Sequence, residues 1–391
     1  MVNVKDLNIG IIHNVYTKRG GEDQVAESEY KLLKANNFKV HLLKFENPEG
    51  KLKQLFTYII SAFNLFSFIK CYSWLKQNNI DVLHVHNWFF TASPSVFWAA
   101  RYCKVPVVMT MHNYRLICPS GTLVFNRKAY LESLNTDFSW DAIKKGVYRN
   151  SPILTFNLVF TVWLNKKIGT WKLVKYYIIL TEHSKTLIEN SHLRALTNKL
   201  IVKANFVSAI KVNNSIPRQD NFLFAGRLSD EKGIIFLLAA FKGSPHKLTI
   251  IGDGPLQNDV ENFVKDNSNV TYLGFKDKET INYELRKCSA LIFPSIWYET
   301  FGLVMIEAFA LSTPVIASYC GSSSIIVKHG YNGLHFEQSN IENLKEKLTE
   351  WSSFDDNVKE QYGKNAYDSY LQYYTPEKNI EQLIEIYRSA V

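Results

Sequence analysis

The feature that most constrains this chain is a repeated alternation. Short, nearly continuous apolar runs are each followed by a longer stretch that suits a helix. Six runs lie in the first half, at 7–12, 39–45, 81–86, 106–112, 177–181 and 199–204. Six more follow, at 221–226, 247–252, 269–275, 290–294, 314–318 and 333–336. A strand that is apolar on successive residues has both faces buried, which is the mark of a parallel sheet covered by helices on both sides. Two such series predict an α/β chain with two doubly wound, Rossmann-like domains. The length of 391 residues is more than one ordinary core holds and suits two.

The polar stretch 211–220, rich in Asn, Ser and Pro, separates the two series. It divides the chain into 1–210 and 211–375. After Thr375-Pro376 a last helix is expected over 376–391, with Ile380, Leu383, Ile384 and Tyr387 at helical spacing. Two segments depart from the alternation. Residues 51–77 read as one long, aromatic-rich helix with basic flanks, and 113–176 is too long for a simple strand-to-helix connection. Neither predicts a membrane span, because polar residues interrupt the first and the apolar run 153–164 in the second is short. They are either helices packed on the N-terminal sheet or a basic, aromatic surface for an anionic membrane.

Charge bears on that choice. The net charge is +9, yet residues 1–205 hold 27 Lys and Arg against 13 Asp and Glu, while the remainder is mildly acidic. The first half therefore faces something anionic: nucleic acid, a membrane or a phosphorylated substrate. No helix-turn-helix, zinc-finger or RNP pattern supports nucleic acid. The five cysteines (Cys71, Cys103, Cys118, Cys288, Cys320) include no CxxC pair. With no secretory leader read at the N-terminus, this predicts a reduced, cytoplasmic protein.

Chemistry concentrates where strands give way to helices. In 290–307 a strand ends near Pro294-Ser295, a loop carries Glu299, and a helix opens near Thr300-Phe301-Gly302. Free N–H groups at that helix start suit a phosphate, and Gly302 admits close backbone approach. Glu307 falls on a helix that is otherwise apolar, where a carboxylate is costly without a partner. The partner is a ribose diol or an internal hydrogen bond. Earlier, Gly226-Arg227 and Lys232-Gly233 bracket a short loop, so that a guanidinium and an ammonium can clamp a diphosphate. Gly252-Asp253-Gly254 closes another strand with a tight turn. In the first half Arg19-Gly20-Gly21 follows the first strand and opens a helix, and His112 ends the fourth strand. Ligands of such folds bind beyond the carboxyl ends of strands. His84 and His86 share one strand face, but no carboxylate or Cys joins them and His112 at ligand spacing, so no metal site is expected. No Asp-x-Asp pair occurs, and no GxGxxG turn, which speaks against a nicotinamide-dependent oxidoreductase.

Taken together these motifs resemble the retaining GT-B glycosyltransferases of family GT4, over most of the chain. The resemblance rests on Gly20-Gly21, His112-Asn113, Gly226-Arg227 with Glu231-Lys232-Gly233, and above all the Glu299-to-Glu307 spacing, the family's E-x7-E signature. It implies two facing domains, an interdomain cleft, an acceptor side in 1–210 and a donor side in 211–375, with the helix 376–391 returning to the first domain. It also implies a nucleotide-sugar donor: Arg227 and Lys232 on the diphosphate, Glu299 and the Thr300–Gly302 backbone on the sugar, Glu307 on the ribose, and His112 on the sugar beside the Gly20-Gly21 loop. Gly226, Gly252, Asp253 and Gly254 would line the donor site. No metal or other cofactor is implied. Anomeric retention follows from the family, by front-face attack in which the leaving diphosphate oxygen assists removal of the acceptor proton. The segment His112-Asn-Tyr-Arg-Leu-Ile-Cys-Pro-Ser-Gly121 is similar to bacterial members that build capsules, exopolysaccharides and O-antigens, although many of those carry further cysteines shortly after it and here none follows Cys118 through Tyr130-Leu-Glu-Ser-Leu. A polyprenyl-diphosphate-linked acceptor at the inner face of the plasma membrane would account for the charge and the aromatics. A sugar-nucleotide epimerase of the same fold and a non-catalytic binding homologue are the alternatives.

Overall fold

The structure is a computed structural model that describes residues 4–16, 20–210 and 216–391. The chain forms two compact units. The first comprises Met1–Phe125, Tyr130–Ala204 and Asn379–Val391, and the second Asn126–Ala129 and Asn205–Lys378. Apart from the short excursion Asn126–Ala129, the division between the two series falls after Ala204, ahead of the polar stretch, of which 211–215 lie outside the described residues.

In the first unit six strands form one parallel sheet: β1 (Asn8–Val15), β2 (Lys39–Glu46), β3 (Val82–Asn87), β4 (Val107–Met111), β5 (Val174–Ile179) and β6 (Leu200–Val202), in the order β2-β1-β3-β4-β5-β6. β3 and β4 are buried at every residue, as strands covered on both faces must be. Pro376–Ala390 is a helix, and its Leu383, Ile386, Tyr387 and Ala390 join Ile9, Ile11, Leu33, Val82, Val108 and Ile178 in one buried cluster.

The second unit repeats the plan with β7 (Phe222–Ala225), β8 (Leu248–Ile251), β9 (Val270–Tyr272), β10 (Ala290–Phe293), β11 (Val315–Ser318) and β12 (Gly333–Phe336), in the order β9-β8-β7-β10-β11-β12. Its core runs from Phe222 and Phe224 through Leu237 and Phe241 to Leu344, Leu348 and Trp351. All twelve apolar runs are strands, each within a few residues of its predicted bounds.

One helix differs from expectation. Residues 51–77 are not continuous: a helix Lys51–Ile59 runs through a 3-10 turn, Ile60–Ala62, and a second helix, Leu65–Gln77, leaves at 72°. The cause is Asn64. Its Oδ1 accepts from the N–H groups of Phe66 and Ser67 at 3.1 and 3.2 Å, and its Nδ2 donates to the Thr91 carbonyl at 3.1 Å. An Asn committed to capping the next helix cannot sit inside the previous one. No single helix among the described residues is long and apolar enough to cross a membrane.

Candidate active site

The second sheet reverses its strand order between β7 and β10, and the crevice beyond the carboxyl ends at such a reversal is where doubly wound domains bind ligands. The two loops leaving those strands carry Arg227, Lys232, Glu299 and Thr300–Gly302. After β7, Gly226 and Arg227 are exposed, and the turn Asp230–Lys232 leads through Gly233 into the helix Ile234–Phe241. Gly233 has φ +73°, and a Cβ there would lie 2.0 Å from the Pro294 carbonyl oxygen just past β10. Only glycine lets the two loops meet so closely. Gly252, with φ +144°, meets the Gly226 carbonyl in the same way, its Cβ falling at 1.9 Å. The Gly252-Asp253-Gly254 turn is thereby locked to the Arg227 loop, and the Leu228 N–H donates to the Asp253 carbonyl at 2.7 Å.

Glu299 is buried, and its main chain is held on both sides: its N–H donates to the Trp297 carbonyl and its carbonyl accepts from the Ser322 N–H, at 2.9 and 3.1 Å. Its Oε1 accepts from Ser295 Oγ at 3.3 Å and pairs with the Lys232 ammonium. Lys232 also lies 5.2 Å over the Trp297 ring, a cation–π contact. Arg227 has no ion-pair partner among the described residues. The Phe301 ring is buried against Tyr374, so that residue can offer a ligand only its backbone. The helix Leu303–Ala310 follows Gly302, and its first internal bond is Met305 N–H to the Gly302 carbonyl at 3.1 Å. The preceding N–H groups point along the helix start, where an anion is favoured. Glu307 is buried on that helix and pairs with Lys278, at the start of the helix Lys278–Lys287. The sequence left its partner open, and the structure supplies a lysine. Ser229 Oγ, Trp297 Nε1 and Ser322 Oγ are buried without a hydrogen-bond partner among the described residues, all in loops past β7, β10 and β11. Together the loops offer two cations, a helix start and underused donors, a set suited to an anion with hydroxyls attached.

In the first unit the order reverses between β1 and β3. Arg19 lies outside the described residues. Gly20 is extended, its N–H donating to Asp23 Oδ2 at 2.9 Å, and Gly21 starts the helix Gly21–Ala35. A Cβ on Gly20 would meet nothing within 4 Å among the described residues, so packing against them does not demand glycine there. Beside it, Glu22 Oε2 accepts from Tyr16 OH and Asn113 Nδ2 at 3.2 and 3.3 Å. Burial pushes the Glu22 carboxyl up to about 7, against the pull of Arg115.

His112 follows β4 directly and is half-buried, its Nε2 3.0 Å from His86 Nδ1. Burial, reinforced by His86, holds its pKa well below the usual histidine value. The sequence joined no carboxylate to these imidazoles, but the fold does. Glu29, from the helix Gly21–Ala35, has Oε2 3.3 Å from His86 Nε2 and 3.9 Å from His84 Nδ1. The spacing alone would admit a metal ion. The donor set does not fit one: Lys203 Nζ stands 2.6 Å from Glu29 Oε1, and both His84 nitrogens already meet hydroxyls, of Tyr387 and Thr110, at 2.8 Å. Burial would raise Glu29, but the Lys203 charge and His86 hold it well below the ordinary range. Glu29 had a sequence signal that was not used, since it stands with Val25, Ala26 and Leu33 on the buried helix face. Lys203 had a similar one, ending an apolar strand run, whereas Lys278 had none.

Comparison with known proteins bears on these sites. Residues 208–369 match the family model described as glycosyl transferases group 1, and 19–155 match Glycosyltransferase Family 4. An uncharacterized glycosyltransferase of Methanocaldococcus jannaschii is 30% identical over 331 residues, covering 84% of this chain and 77% of the relative. The alpha-monoglucosyldiacylglycerol synthase of Acholeplasma laidlawii is 25% identical over 72% of this chain and 69% of its own. Among solved structures, Anabaena HepE in complex with UDP-glucose superposes with a TM-score of 0.67 at 17% identity, covering 97% of this chain and 99% of that one, a likeness of fold alone.

Proposed function

This chain belongs to the GT4-type glycosyltransferases of the GT-B fold, and from that premise we propose that it transfers a sugar, with retention of anomeric configuration, from a UDP- or GDP-sugar to a glycan or polyprenyl-diphosphate-linked acceptor in capsule, exopolysaccharide or O-antigen synthesis. The observation that carries this reading is the pair of loops at the β7/β10 reversal, where Lys232 pairs with the buried Glu299 and Arg227 stands exposed on the same loop as Lys232. In this reading Arg227 and Lys232 bind the diphosphate. As the sugar–phosphate bond breaks, negative charge grows on the leaving group, and fixed cations lower that barrier more than they tighten binding of the intact donor. Glu299 releases Lys232 to the diphosphate and takes sugar hydroxyls in exchange. Glu307 takes the ribose diol, and the amides of Thr300–Gly302 complete the cradle. His112 takes a hydroxyl of the transferred sugar. Charge neutralisation by side chains makes a metal unnecessary, so transfer proceeds in EDTA.

The test is a thermal-shift panel of UDP-, GDP- and dTDP-sugars without added metal, followed by NMR of the product's anomeric proton. A rise in Tm with one nucleotide, weakened in Glu307→Ala, supports the donor site. A product of inverted configuration, or no shift with any donor, overturns the reading.

The acceptor side rests on a different observation. Leu52, Phe56, Ile59, Leu65, Phe66 and Ile69 all expose more than half of their surface, and the exposed Lys53, Lys70 and Lys76 lie among them. Tyr58 OH donates to the Leu154 carbonyl at 2.6 Å and Ser61 Oγ to Asn157 Oδ1 at 3.0 Å, which brings the exposed Ile153 and Phe156 beside this face. Apolar side chains ringed by lysines suit an acidic bilayer, and this surface docks the enzyme at the cytoplasmic face of the membrane, where lipid-linked acceptors lie. A relative named for a glucosyl-diacylglycerol product accords with a lipid acceptor. Flotation with phosphatidylglycerol vesicles, lost on Phe66→Glu and weakened in high salt, supports docking. Equal recovery with pure phosphatidylcholine removes the electrostatic part of it.

A further inference from the structure

The buried chain of charged and imidazole groups in the first unit ends at His112 and has a direction. Glu29 Oε1 lies 2.6 Å from Lys203 Nζ, and both side chains are only 1% exposed, so Glu29 is an anion. Its other oxygen lies 3.3 Å from His86 Nε2, short of good hydrogen-bond geometry, and neither atom has another hydrogen-bond partner among the described residues. An unprotonated nitrogen there would bury a lone pair beside the carboxylate charge, so Nε2 of His86 carries the hydrogen. Lys203 already neutralises Glu29, and burial disfavours a second cation, so His86 is neutral and its Nδ1 holds a lone pair. His112 Nε2, 3.0 Å from that lone pair, must then be the donor.

We infer that Glu29 and His86, anchored by Lys203, are positioning residues that fix His112 as the neutral Nε2–H tautomer, leaving its Nδ1 as the hydrogen-bond-accepting nitrogen. This deepens the proposed function and rests on its placement of His112 at the transferred sugar. His112 then works as an acceptor toward a sugar hydroxyl and never as an acid. Orientation follows as well as tautomer, because the His86 and His112 rings stack at 5.2 Å with 18° between their planes. His86 is held in turn from the other side by the His84 ring at 4.2 Å, itself fixed by Tyr387 and Thr110. Partners behind a working imidazole set its tautomer and basicity, and their loss typically lowers activity about 10–100-fold.

The first experiment is a long-range proton–nitrogen NMR correlation on the full chain with 15N-labelled histidine. The expected result is two neutral rings, His86 and His112, both protonated on Nε2. A cationic His86, or His112 protonated on Nδ1, reverses the relay and overturns the inference. Kinetics on Glu29→Gln come second. Because that variant leaves Lys203 buried and unpaired, Glu29→Gln/Lys203→Met is measured beside it, which removes both charges. In whichever variant folds, kcat is expected to fall about 10–100-fold, with donor KM changed less than about threefold and the His112 tautomer mixed. A folded variant with parental kcat and an unchanged His112 spectrum reduces the pair to a structural role and overturns the inference. Parental turnover in His112→Ala instead removes His112 from the proposed function, and this inference with it, whatever the tautomer.

Discussion

Both units bury carboxylates against lysines, but they leave the lysines in opposite places. In the second unit the Glu299 and Glu307 side chains are 8% and 7% exposed, while their partners Lys232 and Lys278 are 25% and 46% exposed. In the first unit Glu29 and Lys203 are both sealed at 1%. A cation at the surface can leave a carboxylate at little cost, since water and a ligand's phosphate compete for it. A sealed cation has nowhere to go, and separating it strands a bare charge. The first arrangement suits exchange of partners on ligand binding. The second suits holding something still, and what it holds is the histidine row that ends at His112.

The sharpest way to break this comparison is to remove one lysine from each kind of pair. Lys203→Met should lower unfolding stability by about 3–5 kcal/mol in urea titration, and adding Glu29→Leu should recover much of it. Lys278→Ala should cost about 1 kcal/mol or less. Equal losses would erase the distinction between sealed and exchangeable pairs.

Next in size, Arg227→Ala and Glu299→Gln should each lower kcat/KM about 100-fold or more while leaving Tm nearly unchanged. A matching fall in Tm would make these residues part of the scaffold rather than of an exchangeable site.

Acidification sharpens the contrast from the other side. The pKa values of His84, His86 and His112 are depressed, chiefly by burial, so the stability they contribute is present above about pH 6.5 and lost as pH falls toward their folded values. Each adds up to about 1.4 kcal/mol per pH unit in that window. Glu22 has the opposite sign. Burial raises it to about 7, so its contribution is full below its unfolded value and disappears as pH rises through 7. Glu22→Gln should therefore gain stability at pH 8, by up to about 3 kcal/mol, and little at pH 5. Urea midpoints at the two pH values test both signs.

The smallest effect is expected at Gly20. Gly20→Ala should change stability by about 0.5 kcal/mol or less, because the backbone there is extended and no described residue lies near the new methyl. Any effect on donor or acceptor KM would then come from the substrate alone.

Much of the fold was legible because burial on both faces leaves a plain record. The strands Val107–Met111 and Ala290–Phe293 are buried at every step and almost wholly apolar, and parallel strands between helices allow few other patterns. The break at Asn64 was harder to read, since a capping Asn and an interior Asn look alike until the Thr91 carbonyl that holds it is in place. The loop residues Arg227, Lys232 and Glu299 were legible through the glycines around them. Their pairing was not, because Lys232 and Glu299 are 67 residues apart. Lys278 carried no mark at all.

By itself the sequence determined the two parallel α/β units, the strand ends from which the site loops leave, and the E-x7-E family signature. Those depend on local patterns: apolar runs, turns that need glycine, and a fixed spacing along one loop and helix. Only the tertiary structure decided the strand orders that bring the Arg227 and Glu299 loops to one reversal point. It alone brought Glu29, His86, His112 and Lys203 into one buried row. Each belongs to a different helix, strand or strand end, and ion pairs and imidazole contacts depend on distance in space, which separation along the chain does not record.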